Sequence, residues 1–198
     1  LLNDMLEDLS AFSGMQMENM TRSVGWRLLD TGRRLERVTH MATLLRELAV
    51  NGDPAAEGGL DLLLELGDST MTYRTRYMSS AQLAPVFDLL ITDETNPRSM
   101  AFQAGVLCEH IAALPRDSEK VSLTQEEHLV NALASELKLV DIDQLSRGIA
   151  GRGKRVHLDR LMQRQYTRCG EISDVLARTY FVHATLVRSR GLMDGDLA

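Results

Sequence analysis

The densest group of charged side chains alternates arginines with acids at spacings of three and four residues. Its members are Arg27, Asp30, Arg33, Arg34, Glu36, Arg37 and His40. Residues three and four apart are neighbours on a helix, so Asp30 can pair with Arg33 or Arg34, for about 0.2–0.5 kcal/mol a pair. A solvated helix face is one interpretation. Because Glu36 and Arg37 adjoin apolar positions, we also expect at least one of them to point toward the interior, where a carboxylate needs a guanidinium partner.

A second polar set follows farther along the chain. Its members are Glu65, Asp68, Ser69, Thr72, Tyr73, Arg74, Arg76 and Tyr77. Asp68 and Arg76 share a helix face, and Tyr73 and Tyr77 form a neighbouring stripe that either packs on the core or lines a ligand site. Gly67 inside this helix costs about 1 kcal/mol relative to alanine, which indicates close helix packing or a local kink.

Polar residues from three segments therefore become the candidates for lining a binding cleft. They are Arg33, Glu36, Arg37, Asp68, Tyr73, Arg74, Arg76, Asp93, Asn96 and Arg98. We assign no catalytic residue to the chain. Arginine outnumbers lysine 19 to three, which either favours forked contacts to carboxylates and phosphates or reflects the composition of the source genome.

Metal and cofactor chemistry finds little support in the motifs. A di-metal carboxylate centre in a helical bundle needs Glu-x-x-His on two helices, but Glu36 and His40 are one residue too far apart and Glu109-His110 are adjacent. The chain has no nucleophile elbow, P-loop or dinucleotide fingerprint. We predict no metal and no cofactor. The basic, glycine-rich stretch 147–155 either holds a phosphate or an acidic partner or is a plain connection.

Composition limits the possible partners and compartments. The 198 residues carry 22 basic and 28 acidic side chains, a net charge of −6, so we expect no nucleic acid partner. No apolar run approaches the roughly 18 residues that span a bilayer, so we expect no membrane partner either. Cys108 and Cys169 are far apart, as in proteins of the reducing cytoplasm.

The segments that carry these residues are all predicted to be helical, because apolar residues recur every three to four positions without strand alternation. We predict an all-α chain, one domain over residues 1–198, forming a single antiparallel bundle of about six to seven helices with no sheet. The expected helices cover about 2–21, 26–50, 59–77, a short piece from 81, 97–114, 125–139 and 158–190.

Local signals set several of these boundaries. Pro85 is tolerable only in a first helical turn. Asn96 is predicted to cap the helix that begins at Pro97, and Thr124 with Glu127 forms a capping box. Asp143 is predicted to cap a single turn. The chain begins with Leu and is amphipathic from its first residues, which indicates the downstream part of a longer protein.

Four ordered blocks resemble the alpha-E family, a bacterial all-helical domain of unknown function named for a Glu-Arg motif. The blocks are residues 32–37 (GRRLER), 17–22 (MENMTR) before Gly25-Trp26, 66–77 (LGDSTMTYRTRY) and 93–99 (DETNPRS), with a weaker echo at 172–174 and 180–181. Members of this family commonly have a further N-terminal Glu-Arg helix, which this sequence lacks.

The resemblance implies a setting of ATP-dependent amide or peptide-bond formation. Family members resemble accessory domains that are encoded beside, or fused to, circularly permuted ATP-grasp proteins, often with a transglutaminase-like protease nearby. The expected partners are therefore an ATP-grasp-type protein, in cis or in trans, and the transglutaminase-like protease. The family supplies no catalytic residues to carry over.

Two functions follow from these observations. The first is a non-catalytic helical module that docks an ATP-grasp-type ligase and presents a peptide or substrate to it. The second is an enzyme whose cleft uses a carboxylate as general acid or base, tuned by burial and guanidinium neighbours. Convergence of Glu36, Asp68 and Arg98 on one pocket favours the second, and pairwise ties in packed interfaces favour a structural role.

Overall fold

Every regular element that the structure describes is helical. This computed structural model describes residues 1–54, 56–116, 122–148 and 155–181, and no strand occurs within them. The helices are α1 (Leu2–Asn19), α2 (Val24–Leu45), α3 (Gly59–Leu66), α4 (Thr70–Tyr77), α5 (Leu83–Phe87), α6 (Met100–Ala112), α7 (Gln125–Lys138), α8 (Ile142–Ser146) and α9 (Val156–Leu176). The all-α class predicted from the periodicity is confirmed.

Three of the helices continue directly into a wider, π-helical turn. These turns are Arg46–Asn51 after α2, Asp88–Thr92 after α5 and Ala177–Phe181 after α9. The long predicted second helix is thus α2 plus its π turn. The predicted final helix is described as far as Phe181, and its remaining residues lie outside the described ranges.

The core lies among four helices. Helix α2 packs against α6 and α9, and α7 packs against both α6 and α9. The stripe of α2 that faces this core contains Val38, Ala42 and Leu45, all fully buried, and Leu107 of α6 and Leu133 of α7 meet it from the other helices. Burial of these aliphatic side chains is the main stabilisation of such a bundle.

The single helix predicted over 59–77 is wrong in detail, because the chain breaks it into α3 and α4. The break consists of Gly67, Asp68 and Ser69, and Asp68 has a positive φ of 47°. Aspartate is among the few residues with a side chain that adopt this left-handed conformation at modest cost. This break and the short helix α8 raise the number of described helices above the predicted six to seven.

The cap predicted for α6 is also wrong. Ser99, not Asn96, is the N-cap: its Oγ accepts a hydrogen bond from the Phe102 N–H at 3.0 Å. Asn96 is buried in the preceding turn, where its amide nitrogen donates to the carbonyl oxygen of Leu89 at 2.9 Å and to Ser69 Oγ at 3.2 Å. The buried amide thus donates to two groups outside its own turn, and its oxygen accepts from the Arg98 N–H, which satisfies both ends of the side chain.

Other local predictions fare differently. The Thr124 capping box is confirmed, because Thr124 N–H donates to Glu127 Oε2 at 2.8 Å and Thr124 Oγ1 accepts from the Glu127 N–H. Pro85 lies in the first turn of α5. The cap of α8 is Asp141 rather than Asp143. Most of the stretch 147–155 lies outside the described residues.

Helix α1 stands apart from this packing. None of its residues is buried, and the side chains of Leu6, Leu9 and Phe12 are more than half exposed. None of the helices in the described part of the chain is both long and apolar enough to cross a membrane.

Candidate functional site

An open groove lies between α2 and the break that separates α3 from α4. Its volume is about 290 Å³. One side is formed by consecutive turns of α2, and the other by the end of α3, the break itself and the turn before α6. The lining residues are Glu36, Arg37, His40, Met41, Leu66, Gly67, Asp68 and Arg98.

Residue 67 packs tightly against the end of α3 and the π turn after α5, and it lies in ordinary contact with α2. A Cβ at this position would lie 3.0 Å from the carbonyl oxygen of Leu63, 3.1 Å from Leu90 Cδ2 and 3.5 Å from Met41 Cε. The first two distances are tighter than normal packing allows, so a side chain here would push the break away from its neighbours. Gly67 therefore serves close packing and also lies where the helix breaks, so the structure contains both features that the sequence suggested for it.

Charges of both signs line the groove. The guanidinium of Arg98 forms an ion pair with Asp68, and the backbone N–H of Arg98 donates to Asn96 Oδ1 at 3.1 Å. This hydrogen bond ties the turn that carries Arg98 to the buried amide of Asn96. The buried Asn96 thus fixes the backbone of Arg98, which lines one side of the groove.

Arg37 contributes the other guanidinium. It makes no ion pair within 4 Å in the described part of the chain, and the side chain is exposed. Although the residue as a whole is exposed, the protein around its guanidinium removes part of its hydration, which lowers the pKa of Arg37, and the positive charges of Arg33, Arg98 and Arg34 lower the pKa further. Because like charges crowd around this group, an anion placed here would relieve repulsion.

A buried polar network lies on the neighbouring face of α2. Asp30 Oδ2 accepts hydrogen bonds from Arg34 Nε at 2.6 Å and from His110 Nε2 at 2.8 Å. Arg34 also donates to Gln103 Oε1 at 3.0 Å, and Gln103 in turn donates to the carbonyl oxygen of Pro97. The network links α2 to α6 and to the turn before α6, and so fixes the two sides of the groove relative to one another.

The expectation that Glu36 or Arg37 is buried in the bundle is wrong, because both are exposed and line the open groove. The spacing argument failed because both positions face the gap that the break leaves. Asp68 is also exposed, with 70% of its side chain accessible, but is paired with Arg98. Arg33 is half-buried beside this group and does not line the groove.

The remaining sequence candidates lie elsewhere. Tyr73 is buried, and its hydroxyl accepts from the Gln82 N–H at 3.0 Å and donates to the Ser80 carbonyl at 3.3 Å. The tyrosine hydroxyl thus closes the connection from α4 to α5, and its ring packs 4.7 Å from that of Tyr77. Of the two interpretations of the tyrosine stripe, this arrangement matches the structural one.

Arg76 and Asp93 form an ion pair away from the groove. Arg76 also donates to Thr95 Oγ1 at 3.1 Å, and Asp93 Oδ1 accepts from the Thr95 N–H at 2.8 Å. Arg76 borders a separate, shallow hollow of about 530 Å³ on the face of α4. Arg74 is exposed and lines neither of these cavities.

Sequence reasoning missed the buried partners of Asp30. The four-residue spacing of Asp30 and Arg34 was visible, but their burial was not. His110 lies 80 residues from Asp30, and Gln103 lies 69 from Arg34, so no local pattern pointed to them. The only local signal was the presence of Gln103 and His110 on a helix that is otherwise mostly apolar.

Metal ligation finds no site in the described ranges, which contain no group of three or more His, Cys, Asp or Glu side chains placed to hold an ion. Cys108 and Cys169 are free thiols there. Burial raises the pKa of Cys169 to about 11 and also raises the pKa of Cys108. Neither thiol has the depressed pKa of a nucleophilic cysteine.

Comparisons with known proteins match these features to one family. The model of the Alpha-E family, described as a predicted alpha-helical domain with a conserved ER motif, matches residues 1–181. An uncharacterised protein of Mycobacterium bovis and uncharacterised proteins of two Mycobacterium tuberculosis strains are each 28% identical over 176 residues. This match covers 88% of the chain but 20% of each relative. No solved structure matches the chain.

Proposed function

The chain belongs to the Alpha-E family, and we propose that it is a non-catalytic accessory module of an ATP-grasp-type amide or peptide ligase. In this proposal the module docks on the ligase, in the same polypeptide or as a separate subunit, and holds a polar ligand for it in the groove. A transglutaminase-like protease is a further candidate partner. The two free thiols favour the cytoplasm of a bacterium as the place of action.

The observation that carries the proposal is the form of the groove. Its guanidiniums can bind a ligand by forked hydrogen bonds, while its carboxylates, Glu36 and Asp68, stand in solvent. Covalent catalysis requires a nucleophile such as serine, cysteine or lysine beside a base. The described residues that line the groove include no such nucleophile. Such a site is suited to holding a ligand.

The extent of the match supports the accessory role. In the mycobacterial relatives the matching segment is 20% of the protein, so it is accompanied there by a much longer stretch of other sequence. A module that works on behalf of a neighbouring domain would be found in this arrangement.

The test mixes the purified chain with its cognate ATP-grasp-type ligase, purified as a separate polypeptide. Sedimentation velocity should show association at tens of micromolar, and the ligase rate should change when the chain is added. An Arg37→Gln variant should still associate but lose the effect on rate, whereas Arg160→Gln, an exposed arginine of α9 far along the chain from the groove residues, should behave as the unchanged chain. Absence of both association and a rate effect would overturn the proposal.

The rival function, an enzyme, is favoured by one observation: Glu36, Asp68 and Arg98 line the same groove. Against it, Asp68 is tied to Arg98 and both carboxylates are exposed, without the desolvation that tunes a general acid or base. If the chain turns over a substrate, Glu36→Gln and Asp68→Asn should abolish turnover without lowering the melting temperature.

A further inference from the structure

We propose that the groove binds a small zwitterion, an α-amino acid with an apolar side chain, with its carboxylate on the arginines and its ammonium on the carboxylates. This inference rests on the proposed function for its biological meaning, because it names the kind of ligand that the module would hold. Its physical basis is the groove alone, and its test needs no ligase.

The distribution of charge selects for both signs on one ligand. Arg37 and Arg98 supply two guanidiniums, and Glu36 and Asp68 supply two carboxylates, all lining one cavity. Arg98 and Asp68 are paired with each other, so among the described residues Arg37 and Glu36 carry the charges most available to a ligand. A phosphate or other multiply charged anion would meet the repulsion of both carboxylates. A cation alone would meet the arginines. A ligand with adjacent carboxylate and ammonium groups can pair its carboxylate with the arginines and its ammonium with the carboxylates.

Arg37 is the group most in need of a carboxylate. Its neighbours include the guanidiniums of Arg33, Arg34 and Arg98. Asp30, whose charge partly offsets them, already accepts from Arg34 and His110. A bound carboxylate would supply the missing negative charge, and the planar fork of Arg37 would fix its orientation.

The floor of the groove adds a preference for an apolar side chain. Met41 is buried at its base, Leu66 is half exposed at its edge, and Gly67 offers no side chain between them. Together they form an apolar surface beside the charged walls. An aliphatic ligand side chain would bury area against this floor and gain free energy from leaving water.

The size of the groove sets the upper limit of the ligand. Pockets for drug-sized molecules typically measure about 300–1,000 Å³, and this groove, at about 290 Å³, lies at the small end of that range. An amino acid fits, and a longer peptide would have to leave the groove. Because the groove is open to water, we expect weak binding, with a Kd between roughly 10 µM and 1 mM.

Calorimetric titration of the 198-residue chain with four probes tests the inference. The probes are L-leucine, leucinamide (no carboxylate), N-acetyl-leucine (no ammonium) and inorganic phosphate. L-leucine should bind at least about tenfold more tightly than each of the others. Equal or tighter binding of phosphate, or no binding of L-leucine at 10 mM or below, would overturn the inference.

Two variants assign the contacts. Arg37→Gln should weaken L-leucine about tenfold, and Glu36→Gln should weaken L-leucine but leave N-acetyl-leucine unchanged, because only the former carries the ammonium. Arg160→Gln is the matched control and should leave all four affinities unchanged. Thermal melts establish that each variant is folded. An Arg37→Gln variant that folds and binds L-leucine like Arg160→Gln would refute the site.

The outcomes also separate this inference from the ligase proposal. If the chain binds leucine but does not associate with the ligase, the amino-acid site stands and the ligase proposal is wrong. If the chain associates with the ligase but does not bind leucine, the ligase proposal stands and the amino-acid site is wrong.

Discussion

His110 Nε2 lies 2.8 Å from Asp30 Oδ2, although the two residues are 80 positions apart in the chain. Both side chains are buried, and the ring of Trp26 meets His110 edge-on with centroids 5.1 Å apart. Because Asp30 accepts this bond, Nε2 of the imidazole carries a proton. The pair joins α2 to α6 and thereby sets the position of the α2 face that lines the groove.

Removal of the Asp30 carboxylate should destabilise the fold. In Asp30→Ala, Arg34 and His110 lose their shared acceptor while remaining largely buried, and we expect the free energy of unfolding to fall by about 3 kcal/mol. Urea denaturation at pH 7 measures this change. The control Asp8→Ala, in exposed helix α1, should change it by less than about 0.5 kcal/mol. Equal effects in the two variants would mean that the network contributes nothing to stability.

The contribution of Asp30 should also depend on pH. Burial raises the pKa of Asp30, but hydrogen bonds from His110 and Arg34 and their charges outweigh it, so the pKa lies below its ordinary value of 3.8. A carboxyl with a lowered pKa stabilises the folded state fully above its unfolded pKa, and this stabilisation is lost as the pH falls through the folded pKa.

Denaturation of the unchanged chain and of Asp30→Ala at pH 7, 5, 4 and 3 measures this dependence. The difference between them should be constant from pH 7 to about 5 and shrink below about pH 4. A difference that grows on acidification would show that the pKa of Asp30 is raised.

Gly67 should tolerate no side chain. A Cβ would crowd the Leu63 carbonyl oxygen and Leu90, so Gly67→Ala should lower the free energy of unfolding by roughly 1–3 kcal/mol and weaken binding in the groove. Gly32→Ala is the matched control, because nothing lies within 4 Å of a Cβ at that exposed position of α2. It should stabilise the chain by roughly 0.5–1 kcal/mol. The same sign for both substitutions would refute the packing role of Gly67.

Cys169 should resist modification in the folded chain. Burial raises its pKa to about 11, so little thiolate is present near neutral pH. In a Cys108→Ser background, labelling of Cys169 by a disulfide reagent at pH 8 should be at least roughly 100-fold slower than in denaturant. Rapid labelling of the native chain would mean that the thiol is accessible and would contradict its burial in the core.

The sequence was sufficient where structure depends on neighbours along the chain. The amphipathic period of α2 and the capping box at Thr124 are local patterns, and both are present in the structure. The groove was predictable only in part. Glu36, Arg37, Asp68 and Arg98 were identified by type and spacing, but their exposure depends on how the break at Gly67 meets α2.

Tertiary contacts decided the rest. Asn96 has the residue type and position of a cap, yet its amide binds Ser69 and Leu89 in the interior, because the adjacent turn buries it. The Tyr73 hydroxyl hydrogen-bonds to the connection after α4, and the Asp30 carboxylate hydrogen-bonds to a histidine on another helix. No single-sequence pattern encodes which distant groups will meet.

The most direct test of the groove as the binding site is a map of backbone amide shifts during titration of the isotope-labelled chain with L-leucine. The largest changes should fall on residues 36, 37, 40, 41, 66–68 and 98, which line the groove, and should be absent in Arg37→Gln. Changes concentrated on the exposed face of α1 or at the hollow beside Arg76, with none around Arg37, would contradict the account.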